Sequence, residues 1–307
     1  MKTYRLKLKL QSSYLTPWHA DTLFGSLCWV IAWREGDKAL KSFLYEYKTD
    51  PSFILSDGMP GDLLPAPVHL SLAVKTDDFQ KAKKLKKVSW LMPQVFDAFR
   101  RGVTDIQFED VLKAIKPFTT LHSSINRLSG TTGSDGSLFE LEEYALDVEE
   151  IKKDFISVYI KIKERYEDKV LSLFNDLSLV GFGKKKSVGK GSFELFGGLE
   201  PFGGFGDFEG ATGFVSLSHF VPSSKDPTEG FYKTKVKYGK LGGEFTFGGN
   251  PFKRPLLMLA AGSALKTEGQ VRPYYGRIVE GIAPAKPEVV QYGYAFAVPA
   301  VIRTDSV

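Results

Sequence analysis

"FISVYIKIKERYEDKVLSLFNDLSLVGFGKKKSVGKGSFEL", residues 155–195, decides how the first part of this 307-residue chain folds. In Phe155–Lys163, Ile156, Val158, Ile160 and Ile162 alternate with other residues, which predicts a strand. Over Tyr166–Leu179, Val170, Leu173, Phe174 and Leu177 recur at helical spacing and form one apolar stripe. Gly181–Gly191 then holds four glycines and four lysines, and Ser192–Phe196 reads as a short strand. The order is strand, helix, glycine-rich basic loop, strand.

Working outward, "YRLKLKL" (Tyr4–Leu10) alternates without a break, with Tyr4, Leu6, Leu8 and Leu10 on one face and Arg5, Lys7 and Lys9 on the other. That is a strand with one buried and one basic face; a solvated sheet face explains the basic side equally well. Thr16-Pro17 reads as an N-cap with proline at the first helical position. Ala20, Leu23, Phe24, Leu27, Cys28 and Ile31 follow at helical spacing, so a helix is expected from about Pro17 to Arg34, ended by Gly36. A short helix is expected near Lys38–Tyr47, an irregular segment over Ser56–Pro67, and helices near Pro93–Arg101 and Gln107–Lys116. Residues 35–118 read together as an insertion after the first helix. Thr119–Arg127 and Leu138–Leu146 read as strands joined by the flexible turn Ser129–Ser137.

Without the insertion and one extra strand, the order is βαββαβ, the ferredoxin-like (RRM-like) order, in an α+β protein. That fold packs two helices on one sheet face and leaves the other free, and RNA-recognition modules use the free face. Residues 196–213, with seven glycines and four phenylalanines, mark a transition. Beyond it the chain reads as mainly β, over 213–221, 231–240, 255–261, 275–282 and 292–302. Residues 1–200 and 201–307 are thus expected as two domains.

Composition bounds the function. Hydrophobic residues make up 43% and charged residues 25%, as in ordinary globular proteins, and the net charge of +5 permits a nucleic-acid partner without requiring one. The single cysteine, Cys28, excludes an intrachain disulfide and suits a reducing, cytoplasmic compartment. Neither a signal peptide nor a run of ~20 apolar residues is apparent. The four histidines, His19, His69, His122 and His219, show no metal-ligand spacing, so neither a metal nor a cofactor is expected. The loop is not a nucleotide loop. From Gly183 the Walker pattern requires a glycine where Val188 stands, and from Gly181 the dinucleotide pattern requires one where Lys186 stands. What remains is an extended polyanion, or else a solvated loop.

Three segments, in order, resemble the RAMP superfamily of CRISPR effector proteins, in its Cas5-like branch. They are "SSYLTPWHADTLFGSLCW" (Ser12–Trp29), "HSSINRLSGTTGSDGSLFELEEY" (His122–Tyr144) and "GFGKKKSVGKGSFEL" (Gly181–Leu195). With the chain length and "QYGYAFAVP" (Gln291–Pro299), the set is similar to the family of fourth subunits of type III-A (Csm) effector complexes. The resemblance covers most of the chain and is strongest over residues 1–200. It implies two ferredoxin-like domains and a non-catalytic role in antiviral defence. It also implies three partners: the repeat-derived 5′ tag of the crRNA, the large polymerase-like (Cas-ten type) subunit and the Csm backbone subunit.

Carried onto this chain, the resemblance assigns RNA contact to Gly183, Lys184, Lys185, Lys186, Ser187, Gly189 and Lys190, and brings His122, Ser124, Asn126 and Arg127 near the tag. Asn126 could instead satisfy a turn, and Arg127 could pair with Glu140 or Glu142. His19 could stack on RNA or donate to it, while Asp21 beside it suits the helix N-terminus. Lys253, Arg254 and Arg272, with Tyr274 and Tyr275, combine charge with stacking surface, for RNA or for a subunit contact. Lys81–Lys87 reads as a solvated face or a further contact. The rival reading within the superfamily is a metal-independent endoribonuclease that processes repeat RNA, with His19 or His122 as general acid or base. A purely structural scaffold is the third.

Overall fold

A computed structural model describes residues 1–74, 79–105, 112–132, 138–246 and 250–303. The first sheet is built around β1 (Lys2–Leu10). Helices α1 (Ala20–Glu35) and α2 (Asp37–Thr49) follow, then β2 (Phe53–Pro60). Helix α3 is Pro93–Arg100, and β3 (Ile115–Ser123) pairs with β4 (Leu138–Leu146) as a hairpin. Strand β5 (Phe155–Ile162), helix α4 (Glu167–Val180), β6 (Phe193–Leu195) and the two-residue β7 (Glu200–Pro201) complete the first part. The sheet runs β2-β5-β1-β6, all neighbours antiparallel, with β7 also paired to β1. Leu6 lies opposite Val158 and Leu8 opposite Ile156, so the apolar positions foreseen in both strands share one face. Tyr4, on that face, reaches Glu167 of α4.

Two expectations fail in this part. Ser56–Pro67 is not irregular throughout, because β2 occupies Phe53–Pro60 inside the segment expected as an insertion. Its Asp and Gly fall at a register irregularity between Leu55 and Gly58, and Pro60 ends this edge strand. At that point the Ser56 hydroxyl accepts the N–H of Tyr159 at 2.9 Å, in place of a backbone carbonyl. Gly58 is required there, since a Cβ would sit 2.5 Å from Cβ of Trp18. The first helix begins at Ala20 rather than Pro17. His19 is its N-cap, in extended conformation and with no side-chain cap bond. The N–H of Ala20 is instead capped by Oδ1 of Asp57, at 2.7 Å, from the irregular stretch of β2.

The expected 119–127 strand begins earlier, at Ile115, and its hairpin forms a sheet of its own rather than joining the first. Of the helix expected near Gln107–Lys116, residues 107–111 lie outside the described residues, and Ile115 and Lys116 belong to β3. Residues 133–137 of the expected turn also lie outside the described residues. Lys81–Lys87 falls across the helix Phe79–Leu85 and the turn after it; Leu85 is buried, whereas Lys83, Lys84, Lys86 and Lys87 are exposed.

Beyond β7 the described residues hold no α-helix, only a 3-10 turn at Gly243–Thr246. The strands are β8 (Gly213–Ser216), β9 (Gly230–Phe231), β10 (Thr234–Lys237), β11 (Leu256–Leu259), β12 (Ala264–Lys266), β13 (Tyr274–Gly276) and β14 (Tyr294–Ala300). Five form an antiparallel sheet in the order β9-β12-β8-β14-β13, and β10 pairs with β11. One hydrophobic core runs through both parts, from Leu6 and Phe24 to Val215, Phe296 and Val298. The glycine-rich junction belongs to this joint. Buried Arg100 of α3 donates to the carbonyls of Gly204, Gly206 and Pro299.

The second face of the first sheet, expected to be free for RNA, is covered. Tyr159 packs against Phe202 and Phe205, and Lys161 donates to the carbonyls of Pro273 and Ala297. The basic side of β1 is neutralised: Arg5 pairs with Asp62 and Glu200, Lys7 with Glu200, and Lys9 with Asp154. All of these partners lie far from β1 in sequence.

Candidate nucleic-acid interface

The glycine-rich loop leaves α4 at Gly181 and closes back on itself, with Phe182 N–H donating to the Gly191 carbonyl at 2.9 Å. Gly191 must be glycine. Its φ is +68°, and a Cβ there would lie 2.0 Å from the Phe182 carbonyl oxygen. The loop is docked on the segment before α1. Gly191 N–H donates to the Ser13 carbonyl, Ser192 N–H to the Ser12 hydroxyl and Lys184 N–H to the Thr16 hydroxyl. Phe182 anchors it from inside, stacked on Trp18 with centroids 4.1 Å apart and an interplanar angle of 15°. Two of the three segments that carry the resemblance, Ser12–Trp29 and Gly181–Leu195, thus form one unit.

On this rigid base Lys184, Lys185, Lys186, Ser187 and Gly189 are exposed, and Gly183 is half-buried against Thr16. None of the three lysines has an ion-pair partner among the described residues. Lys185 lies over the ring of Phe139 and Lys186 over that of Trp33, a residue 52% exposed, so aromatic surface sits beside the charges. Trp18 is buried in the core, whereas Trp33 lies at the surface.

Lys190 differs from its neighbours. Its ammonium donates to Glu143 at 2.7 Å and to the Ser13 hydroxyl at 3.1 Å. Glu143, on β4, has no exposed surface. It also accepts from the hydroxyls of Ser13 and Thr120. Burial alone would raise its carboxyl; Lys190, Ser13 and Thr120 reverse that and hold it at about 2. Lys190 is therefore a tie between the loop and the hairpin, and its charge is already compensated. Tyr14 stacks on Tyr144 in the same joint.

His122 is half-buried, 2.9 Å from the Thr120 hydroxyl, and stacks on Phe139. Ser124, Asn126 and Arg127 are exposed near the hairpin tip. Asn126 closes a turn, its side-chain oxygen accepting from Leu128 N–H at 2.9 Å. Arg127 pairs with neither Glu140 nor Glu142 and has no ion-pair partner among the described residues.

The remaining candidates have other partners. His19 turns towards His219, with ring centroids 4.2 Å apart, and Asp57. Lys253 donates to Gln291 Oε1 at 2.8 Å, and Gln291 in turn bonds buried Asp21, which Lys237 also reaches. Gln291 of the "QYGYAFAVP" segment thereby joins the end of the chain to α1. Arg272 pairs with Asp226 at 2.6 Å and lies over Tyr275, while Arg254 is exposed and engaged through its backbone N–H. The pairing of His19 with His219, 200 residues apart, has no signature in local spacing, nor do the roles of Asp57 and Glu143.

No family model matches the chain, and no curated protein is a significant match. Solved structures do match along nearly its whole length. A chain of a Csm1–Csm4 cassette crystallised with pppApA has a TM-score of 0.64 at 19% identity, over 99% of this chain and 100% of that one. The same cassette type with cA4 gives 0.65 at 18% identity, over 97% and 98%. A chain of the Csm3–Csm4 subcomplex from a type III-A CRISPR-Cas interference complex gives 0.63 at 15%, over 97% and 99%. Csm4 is common to all three, and the chain described here has the fold of these Csm4 chains.

Proposed function

We propose that this chain is the Csm4-type subunit of a type III-A effector complex, non-catalytic and cytoplasmic. It would bind the repeat-derived 5′ tag of the crRNA and anchor the large polymerase-like subunit and the Csm backbone subunit. The observation that carries the reading is the docked loop, which presents Lys184, Lys185 and Lys186 uncompensated beside Trp33 and Phe139. Backbone amides and lysine charges suit a phosphate backbone, and the neighbouring rings suit unstacked bases. Arg127 extends the basic surface to the hairpin tip. The partners are supported by the complexes in which the structural neighbours were solved, with Csm1 in one and Csm3 in another. The sheet order β2-β5-β1-β6 supports a ferredoxin-like unit within residues 1–200, and residues 201–307 are read as a degenerate second one.

The test is a labelled RNA carrying the repeat from the same locus, run with the purified chain on native and denaturing gels without magnesium. A shifted, intact RNA, released when Lys184, Lys185 and Lys186 become alanine, supports the reading. Cleavage that disappears in His122→Ala would favour the endoribonuclease instead; His122 beside Thr120 and Glu143 is the arrangement that keeps this alternative. Neither shift nor cleavage, in the chain alone and with both partner subunits, would leave the scaffold.

A further inference from the structure

Three side chains distant in sequence meet below the N-terminus of α1. His19 precedes the helix, Asp57 lies in the irregular stretch of β2, and His219 follows β8 in the second part of the chain. One ligand-capable atom from each lies within 4.8 Å of the others. His219 Nδ1 is 2.5 Å from Asp57 Oδ2, and the two imidazole rings stand 4.2 Å apart at 34°. The side chains of His219 and Asp57 are 12% and 8% exposed.

The carboxylate is positioned from its own backbone and from two other segments. Asp57 Oδ1 accepts from Ala20 N–H at 2.7 Å, the N–H of His219 points at the same carboxylate, and Asp57 N–H donates to the Leu217 carbonyl at 2.9 Å. His19 is different: among the described residues neither of its ring nitrogens has a hydrogen-bond partner.

We propose that His19, Asp57 and His219 form a binding site for one zinc ion that fastens the two parts of the chain together. Two imidazole nitrogens and one carboxylate oxygen are the donor set of zinc and its late first-row neighbours, not of magnesium or calcium. Tetrahedral zinc, with bonds of about 2.0–2.1 Å, sets its ligand atoms roughly 3.4 Å apart. That spacing falls between the 2.5 Å His219–Asp57 contact and the 4.8 Å limit of the cluster. Three protein ligands leave a fourth position for water. Because the ligands come from before α1, from β2 and from after β8, the ion would tie the start of the chain to its second part.

The test uses the full-length chain, stripped with a chelator and desalted. Zinc is titrated by calorimetry, cobalt is followed by its visible absorption, and thermal melts are run with and without zinc. Expected are one ion per chain, the absorption bands of four-coordinate cobalt, and a melting temperature raised by about a few degrees at excess zinc. His19→Ala should lower the affinity roughly tenfold or more and remove the bands. Its fold is expected to persist, since the ring carries no hydrogen bond. His219→Gln gives the same loss from the other part of the chain. No stoichiometric binding of either ion, or binding indifferent to His19→Ala, would overturn the site and leave a buried Asp57–His219 hydrogen bond beside a stacked imidazole.

Discussion

Lys190 and the three lysines before it look alike in the sequence, and the structure separates them into two roles that salt dependence can distinguish. If Lys184, Lys185 and Lys186 each neutralise one phosphate of single-stranded RNA, they contribute about −0.7 each, roughly −2 in all, to the slope of log K against log salt. Between about 50 and 200 mM salt that share alone weakens binding on the order of twentyfold. The triple alanine variant should therefore bind more weakly at low salt and show a slope flatter by about 2. Lys190→Ala should leave the slope unchanged. It strands the fully buried Glu143 carboxylate without its cation, which costs about 1–3 kcal/mol of stability. The assay is fluorescence anisotropy with a labelled RNA carrying the repeat-derived tag, over a salt series, alongside thermal melts of each variant. A slope unchanged in the triple variant would remove the loop from the RNA path. A slope lost in Lys190→Ala at unaltered stability would refute the division of roles.

Gly191→Ala forces a side chain into a left-handed conformation and against the Phe182 carbonyl, and opens the bonds to Phe182 and Ser13. It should cost about 3 kcal/mol, seen as a melting temperature lower by about 5 °C. Phe182→Ala removes the ring stacked on Trp18 and should cost about 3–5 kcal/mol by denaturant unfolding, with RNA binding weakened because the loop loses its anchor. Lys161 is held at about 8 by burial, against an ordinary value of 10.5. Between those pH values the unfolded chain binds the proton and the folded chain does not, so wild-type stability should rise as pH increases from about 8 to about 10.5. Lys161→Met should remove that rise, read as the difference between variant and wild type in chemical denaturation at both ends of the window.

The elements whose pattern is local were legible in the sequence. Alternation in Tyr4–Leu10 and Phe155–Lys163, and the stripes of α1 and α4, follow from side chains on one strand or helix face meeting one core. Strand β2 was not legible, because Asp57, Gly58 and Pro60 carry turn chemistry, and only the Ser56 hydroxyl and the shifted register against β5 make a strand of them. The start of α1 was misplaced for a related reason: its cap is Asp57, from another element, not the neighbouring threonine.

At the candidate interface, the amino-acid sequence by itself determined which stretch can approach a polyanion. Glycines and lysines in the order of residues 181–191 allow close backbone approach with positive charge, whatever surrounds them. Only the tertiary structure decided which charges remain available. Lys190 is compensated by Glu143, Arg272 by Asp226, and Arg5 and Lys7 by Glu200. Tyr159 and Lys161, on the sheet face expected to be free, are buried under the second part of the chain. A residue's charge is a property of its side chain, but its compensation depends on which distant segment the fold brings within about 3 Å, and sequence spacing carries no record of that distance.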